Sequence, residues 1–561
     1  MAEGLTIHPA LVLIAAGLIL PLLRGQVRAA LVLAAPLVSL WCAWSLPDGV
    51  SVTWTWLGYT LEVVRTDALA RLFATVFAIM ALGGGLFALN RDSAMELAAA
   101  FVYAGAALGA VFAGDLVTLF VFWEIMAIAS TIVVFAGGGG ALGAGLRYAV
   151  IHFFGGVLLM AGLAGEILQT GEITFRAMQP DSAARWLILA GFLINAGAPP
   201  LSAWLPDAYP EGSWSGTVFL SAFTTKTAVY VLLRGFPGAE ILIWVGMYMV
   251  FYGIVYAILE NDMRRILAYS IVNQVGFMVT GIGIGTEMAL NGTAAHAFTH
   301  IIYKALLLMA AGAVLYQTGE RLCTRLGGLF RTMPLTTICG SIGALSISAF
   351  PLTSGFVSKS MISQAAADQH MLTVWLLLAA ASAGVFLHAG IKFPWFVFFQ
   401  KDSGLRPPDP PWNMRLAMIL FSALCIGIGV VPGTLYAMLP YPVNYVPYTG
   451  AHVVGMLQLL LFSGLAFFLM LGWLRRTQTI TLDFDWFYRG FGWAAAQVAA
   501  KTGRAAWATA TATLREATLR LVDTLSRHHG PEGVLGRTWP TGTMAFWTTL
   551  LLGTYLVLAY L

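Results

Sequence analysis

The stretch "GFLINAGAPPLSAWLPDAYP", from Gly191 to Pro210, breaks a helix inside an apolar run long enough to cross a membrane. The run reaches Asn195, loosens at Gly197 and Ala198, and meets Pro199 and Pro200. A proline removes a backbone donor and clashes with the preceding turn. Backbone freed in this way finds no water in a bilayer, so it is tolerated only where it is buried in protein or lines a polar cavity. A second interrupted run, "FPLTSGF" at 350–356 with Pro351 and Gly355, echoes "APPLSAW" at 198–204.

Working outward, the chain of 561 residues is 59% hydrophobic and 10% charged, with a mean hydropathy of +0.81. Soluble domains carry roughly 25% charged residues, so the composition excludes a soluble protein. Apolar runs of spanning length recur from end to end, which predicts an all-α polytopic membrane protein with about 14–16 transmembrane helices. The first, at about 6–23, lacks a basic leader and an obvious cleavage site and reads as a retained helix. Cys42, Cys323, Cys339 and Cys425 are scattered without CxxC spacing, which gives little support to disulfide, zinc-thiolate or iron–sulfur chemistry. The pI near 8.8 reflects loop arginines and does not suggest nucleic acid.

Those arginines set the topology. Connections after odd-numbered spans hold Arg24, Arg28, Arg91, Arg147, Arg264, Arg265, Arg321, Arg325, Arg331, Lys401, Arg406, Arg415, Arg475 and Arg476. Connections after even-numbered spans hold Arg65, Arg71, Arg176, Arg185 and Arg234. Fourteen against five places the first set in the cytoplasm and the N-terminus outside.

The lysines behave differently. Of six, Lys226, Lys304, Lys359 and Lys392 fall within predicted spans. A cation at a bilayer centre costs about 2.5–3.5 kcal/mol on insertion scales. Lys226 is too deep to snorkel, about 15 Å from either end of its span at 1.5 Å per residue. Lysine, unlike arginine, gives up its proton when desolvated, so membrane lysines combined with loop arginines suit proton chemistry. Structural pairing or end-of-helix snorkelling is the alternative, strongest for Lys392 near its helix end. Glu124 stands in mid-span with no basic residue within a turn, and should be neutral or have a partner on another helix. "HAFTHIIYK" sets His296, His300 and Lys304 at i, i+4 and i+8, a titratable stripe with roughly 6 Å between successive groups.

The same HxxxH spacing can ligate a metal or haem, so a membrane redox protein with His296 and His300 as cofactor ligands is an alternative. Against it, no second histidine cluster is evident, His152 and His388 being single, and a lysine one turn on repels a cation. No metal site or cofactor is expected. The paired helix breaks, at Pro199 and Pro200 and at Pro351 and Gly355, point to an inverted-repeat transporter with its ion path at the breaks.

"DLVTLFVFWEIMAIAS", "WLPDAY", "KTAVYVLLR", "RRILAYSIVNQVGF", "HAFTHIIYKALLLMAAG" and "FPLTSGFVSK" occur in this order between residues 115 and 359. Together they resemble the proton-conducting antiporter-like subunits of respiratory complex I (NADH-quinone oxidoreductase), of Mrp-type cation/proton antiporters and of related membrane hydrogenases. "LDFDWFYR" at 482–489 resembles the tail of the D-type Mrp antiporter subunits. The resemblance implies two inverted five-helix repeats, each with a broken helix forming a half-channel. It divides the chain into N-terminal helices (1–92), a first repeat (93–238), a second repeat (239–398), C-terminal core helices (399–480), a cytoplasmic segment (481–540) and a terminal anchor span (541–561). By motif, Glu124 matches the family's essential glutamate and Lys226 its following lysine. His296, His300 and Lys304 match the central relay, and Lys359 the end of the second half-channel. One match fails: where the family carries a lysine, in a pattern like "FgiKa", this chain has "FLINA", with Asn195 at the place. Glu124 then lacks that cation unless Lys226 serves instead, and "WLPDAYPEGSWSG" departs from the usual "APT". The first half-channel is expected to be altered, with the second intact.

After Arg489, the sequence to Arg527 reads as a long lateral amphipathic helix with an i,i+4 pair, Glu516 and Arg520, followed by the anchor span. Its small-residue face suits a clamp on neighbouring subunits better than a lipid surface. The expected function is proton translocation, with cation/proton antiport as a variant, within a multisubunit complex in the cell inner membrane. Expected partners are other membrane subunits of an Mrp-type or complex I-like assembly, protons, and Na+ as a candidate coupled ion. The further alternative is a scaffold role in the same complex, with transport lost.

Overall fold

The computed structural model describes residues 7–91, 93–474, 482–531 and 533–561. Arg475 and Arg476, counted for topology, lie outside these residues. The chain divides into Met1–Asp485 and Trp486–Leu561.

Short polar caps start the helices of the first unit. α1 (Pro9–Ile19) and α2 (Gly25–Ser45) lead to a hairpin, then α3 (Ala68–Phe87) starts where Asp67 accepts from the Ala70 amide. Ser93 caps α4 (Ala94–Phe112) and Asp115 caps α5 (Leu116–Phe135). α6 (Ala141–Thr170) ends at a left-handed Gly171, and Ser182 caps α7 (Ala183–Ala196). Short α8 (Trp204–Ala208) and α9 (Gly216–Leu220) precede α10 (Thr224–Gly235). Then come α11 (Ile241–Leu259), α12 (Met263–Ile284), α13 (Glu287–Thr318), α14 (Pro334–Ile347), α15 (Ser354–Asp368) and α16 (Leu372–Val385). Past α16 the same span widens into π turns at Phe386–Lys392 and Trp395–Phe399, either side of Pro394, which has no amide hydrogen to donate. α17 (Trp412–Val430), α18 (Gly433–Tyr436) and α19 (Gly450–Leu469) follow. Among the described residues thirteen helices are long and apolar enough to cross a membrane, and three shorter apolar ones bring the total to 16, within the expected range.

The helical architecture is as expected, with one addition among the described residues that the sequence reading did not name. β1 (Gly49–Trp56) and β2 (Tyr59–Thr66) form an antiparallel hairpin, with Trp54 opposite Leu61 and Trp56 opposite Tyr59. Alternating Val, Thr and Trp suit a pleated pair. The Leu57-Gly58 turn has positive φ at both residues, the twist that a two-residue hairpin favours. The hairpin bonds to the start of α5, Glu62 N donating to Asp115 Oδ2 at 2.8 Å and Gly114 N to Glu62 O at 2.9 Å.

Two five-span repeats, α4 to α10 and α11 to the Phe399 end of the α16 span, share their hydrogen bonding. In the first, Leu116 N donates to Ile173 O and Phe175 N to Gly114 O. In the second, Met263 N donates to Arg321 O and Cys323 N to Asn261 O. Each clasp follows the sequence QTGE, at 169–172 and 317–320, with a left-handed glycine ending the long third helix. Five is an odd number of crossings, so the second repeat runs inverted to the first.

The breaks also correspond. Gly197 N bonds to Ile194 O and Ala198 N to Leu193 O; Ala349 N bonds to Ser346 O and Phe350 N to Leu345 O. The left-handed residue at this bond is a glycine in the first break and Ala349, at φ 58°, in the second, where Leu352 follows at φ 68°. Gly355 lies past the break, in the first turn of α15, where a Cβ would stand 1.9 Å from the Ser346 carbonyl oxygen. The core gathers around α10, α12 and α13. The apolar windows of Gly216–Gly235 and Met263–Ile284 are entirely buried, against 11% for α19.

The second unit consists of α20 (Trp493–His529), in which Glu516–Arg520 and Asp523–Arg527 pair at i,i+4, and α21 (Thr541–Tyr560).

Candidate functional site

In the second repeat α13 carries His296, His300 and Lys304 down one fully buried face, the two imidazole centroids 6.2 Å apart. Neighbouring helices supply neutral partners. Gln274 of α12 meets His296 Nε2 at 3.0 Å, and Ser358 of α15 meets Nδ1 at 3.3 Å. Tyr303 OH donates to Gln274 Oε1, and the hydroxyls of Thr299 and Ser358 are 2.7 Å apart. Lys304 Nζ donates to Ser270 Oγ at 2.9 Å and to Leu267 O at 3.4 Å. His300 has both ring nitrogens buried without a hydrogen-bond partner among the described residues. Lys359 sits over the Phe277 ring at 4.2 Å, a cation–π contact. It has no hydrogen-bond acceptor among the described residues and lines a cavity of 1230 Å³ between α13, α15, α16 and α19.

Lys226 joins this group from the first repeat. Its span is itself interrupted at Ser221–Phe223, a break that sequence reading missed because it holds no glycine or proline. Lys226 Nζ donates to the carbonyl freed there, Ser221 O at 2.6 Å, and to Thr225 Oγ1 at 3.0 Å. Lys226 and Lys304 lie within electrostatic reach of each other, His300 of both, and His296 of Lys226 and Lys359. Among the described residues no carboxylate comes within ion-pair distance of Lys226, Lys304 or Lys359, so structural pairing does not explain these three.

Lys392 is placed differently. Its ammonium donates to Ala257 O, Ile258 O and Glu260 O at 2.6 to 2.7 Å, capping the carbonyl end of α11. His388, one turn before it, lies within reach of Lys304, Lys359 and Lys392. Sequence reading passed over His388 as a single histidine.

Glu124 of α5 is half-buried, and its Oε1 has no hydrogen-bond partner among the described residues. The carboxyl lies against Gly156 of α6, where a Cβ would be 2.1 Å from Oε1. The residue at the family's lysine position is Asn195, fully buried with neither amide atom bonded among the described residues. Among the described residues Lys226, held at Ser221, forms no ion pair with Glu124.

Arginines counted for topology also fasten the segment after the first break. Arg147 grips buried Asp207 with two bonds of 2.7 and 2.8 Å, and Arg321 pairs with Glu211 at 3.0 Å. Arg264 donates to Pro210 O, Gly212 O, Ser213 O and the Thr217 hydroxyl. Arg91 pairs with Glu96, which accepts from Ser213 and Ser215. Asp483, in the "LDFDWFYR" segment, accepts from Tyr252 at 2.5 Å and Tyr269 at 2.7 Å. Among the described residues no three His, Cys, Asp or Glu side chains are placed to hold a metal ion, and the four cysteines are buried and unbridged.

A family model described as NADH:quinone oxidoreductase/Mrp antiporter, TM, matches residues 113–385. The D-type Na(+)/H(+) antiporter subunit of Alkalihalophilus pseudofirmus is 32% identical over 351 residues, 57% of this chain and 69% of that one. A probable K(+)/H(+) antiporter protein of Rhizobium meliloti is 29% identical over 407 residues, 67% of this chain. That match covers 40% of the Rhizobium protein, so the chain spans less than half its length. In the structure of the membrane-bound sulfane sulfur reductase, an archaeal respiratory membrane complex, one chain has the same fold, with a TM-score of 0.72 over 99% of both chains at 22% identity. With the Alkalihalophilus relative covered over more than two thirds of its length, the chain belongs to the NADH:quinone oxidoreductase/Mrp antiporter transmembrane family.

Proposed function

We propose that this chain is a proton-translocating component of a multisubunit membrane complex, working by charge switching along Lys226, His300, His296, Lys304 and Lys359. The observation that carries the reading is three fully buried lysines held by hydroxyls, carbonyls or an aromatic face instead of a carboxylate. An ammonium without a counter-ion in a low-dielectric interior is costly, so each can release its proton when a neighbour becomes charged. Gln274, Ser358, Thr299 and Tyr303 supply hydroxyl and amide groups that reorient as a proton passes. The cavity at Lys359 supports a connection to one face of the membrane.

The partners are other membrane subunits of an Mrp-type or complex I-like assembly, and antiport of a cation such as Na+ is supported by the names of the relatives. The chain lies in the cell inner membrane with its N-terminus outside, and its six segments carry the boundaries given above. Glu124 and Asn195 belong to a first half-channel of altered chemistry. Lys392 stands at the edge of the path as a helix cap. The test is Lys304→Ala in the assembled complex, read as proton flux in sealed vesicles. The reading expects a loss of about a hundredfold, the lower end of what a positioned acid–base group contributes. Unchanged flux with a normally assembled complex would favour the scaffold role.

A further inference from the structure

The first repeat holds one more buried base, and it stands beside the position where the lysine is missing. His152 of α6 is 1% exposed, stacked on Tyr148 at 3.8 Å and edge-on to Trp204 at 4.5 Å. Its Nδ1 lies 2.9 Å from the Tyr148 carbonyl. A carbonyl only accepts, so Nδ1 carries the hydrogen and Nε2 keeps its lone pair in the neutral ring. That Nε2 is buried with no partner among the described residues.

One turn further along α6, Gly155 and Gly156 open a notch. The Glu124 carboxyl enters it at Gly156, and a Cβ at Gly155 would be 3.7 Å from Asn195 Oδ1. His152 and Gly156 are four residues apart, which places them on the same face of α6 about 6 Å apart along its axis. A half-buried acid, a buried base and a buried amide, each with a polar atom unpartnered among the described residues, thus border one turn of α6. Arg147, five residues before His152 on α6, is itself paired with Asp207 through two bonds.

Building on the proton-translocating reading, we propose that His152 is the proton-accepting partner of Glu124, in the role that a lysine at position 195 would otherwise fill. The proton leaves the Glu124 carboxyl for His152 Nε2 through an intervening water, giving a carboxylate and an imidazolium. It returns, or passes on through the Tyr148 hydroxyl to Ser130 and Thr224, which lie 2.9 and 3.3 Å from it. Asn195 cannot carry the proton.

The experiment compares His152→Gln, Lys304→Ala and the double variant H152Q/N195K in assembled complexes in sealed vesicles, reading proton flux against pH. The proposal expects His152→Gln to lower flux about a hundredfold and the double variant to recover most of it, with a changed pH profile. A histidine needed only for packing would not be rescued by a distant lysine. Wild-type flux in His152→Gln together with lost flux in Lys304→Ala overturns the role of His152 and leaves the transport reading standing. Unchanged flux in both overturns the two together. Should His152→Gln fail to assemble, N195K alone decides: a shifted pH profile supports the proposal and an unshifted one overturns it.

Discussion

Gly156 gives the Glu124 carboxyl its place: a Cβ there would be 2.1 Å from Oε1, inside any allowed contact. Gly156→Ala should therefore push the carboxyl out of the notch. Overpacking of this kind costs about 1–3 kcal/mol. We expect proton flux to fall in vesicles while the complex still assembles on native gels; equal flux would show that the notch is not needed.

Arg147 and Asp207 link α6 to the segment after the first break through two bonds of 2.7 and 2.8 Å. Asp207 is 3% exposed, so Arg147→Ala takes two charge-assisted bonds from a buried carboxylate, at a cost of about 3–5 kcal/mol. The double variant R147A/D207N should recover much of that. Thermal unfolding of the detergent-purified complex measures both.

Lys392→Met strips the cap from three carbonyls at the end of α11. Each unsatisfied group costs about 1–3 kcal/mol, so the variant should melt earlier than wild type. Flux per assembled complex should stay within a few-fold of wild type, unlike Lys304→Ala. A matching loss in both would return Lys392 to the path itself.

Two loop carboxylates set an acid limit. Burial raises the Glu320 carboxyl, but the amides of Leu322 and Arg321 and the Arg325 guanidinium outweigh it and hold the group below its ordinary value. Asp402 is held well below its own by Arg406, the Gly404 amide and Arg331. A lowered folded value means a contribution that is complete above the ordinary carboxylate range and lost as pH falls through the folded value. Loop protection from protease should weaken on acidification below the ordinary range, and E320Q should flatten that dependence for the 319–333 connection.

What sequence could show, and what it could not, divides by range. The spans, both proline breaks and the stripe His296, His300, Lys304 depend on residues close in sequence, so periodicity and spacing reveal them. The β hairpin was hidden because its Trp and Val alternation is swamped in a chain that is apolar throughout. The Ser221–Phe223 break carries no punctuating residue. The cap of Lys392 on α11 joins residues more than 130 positions apart, and Asp483 meets Tyr252 and Tyr269 across more than 210. The Glu124 notch depends on two glycines whose meaning appears only when α5 is laid on α6.

The two helix breaks share their bonding but not their residue at the left-handed position. Gly197 adopts that geometry freely, whereas Ala349 pays about 1–2 kcal/mol for it. The same joint is thus relaxed in one repeat and strained in the other. A protein with inverted symmetry in its hydrogen bonds is consequently asymmetric in the backbone energy of its two breaks.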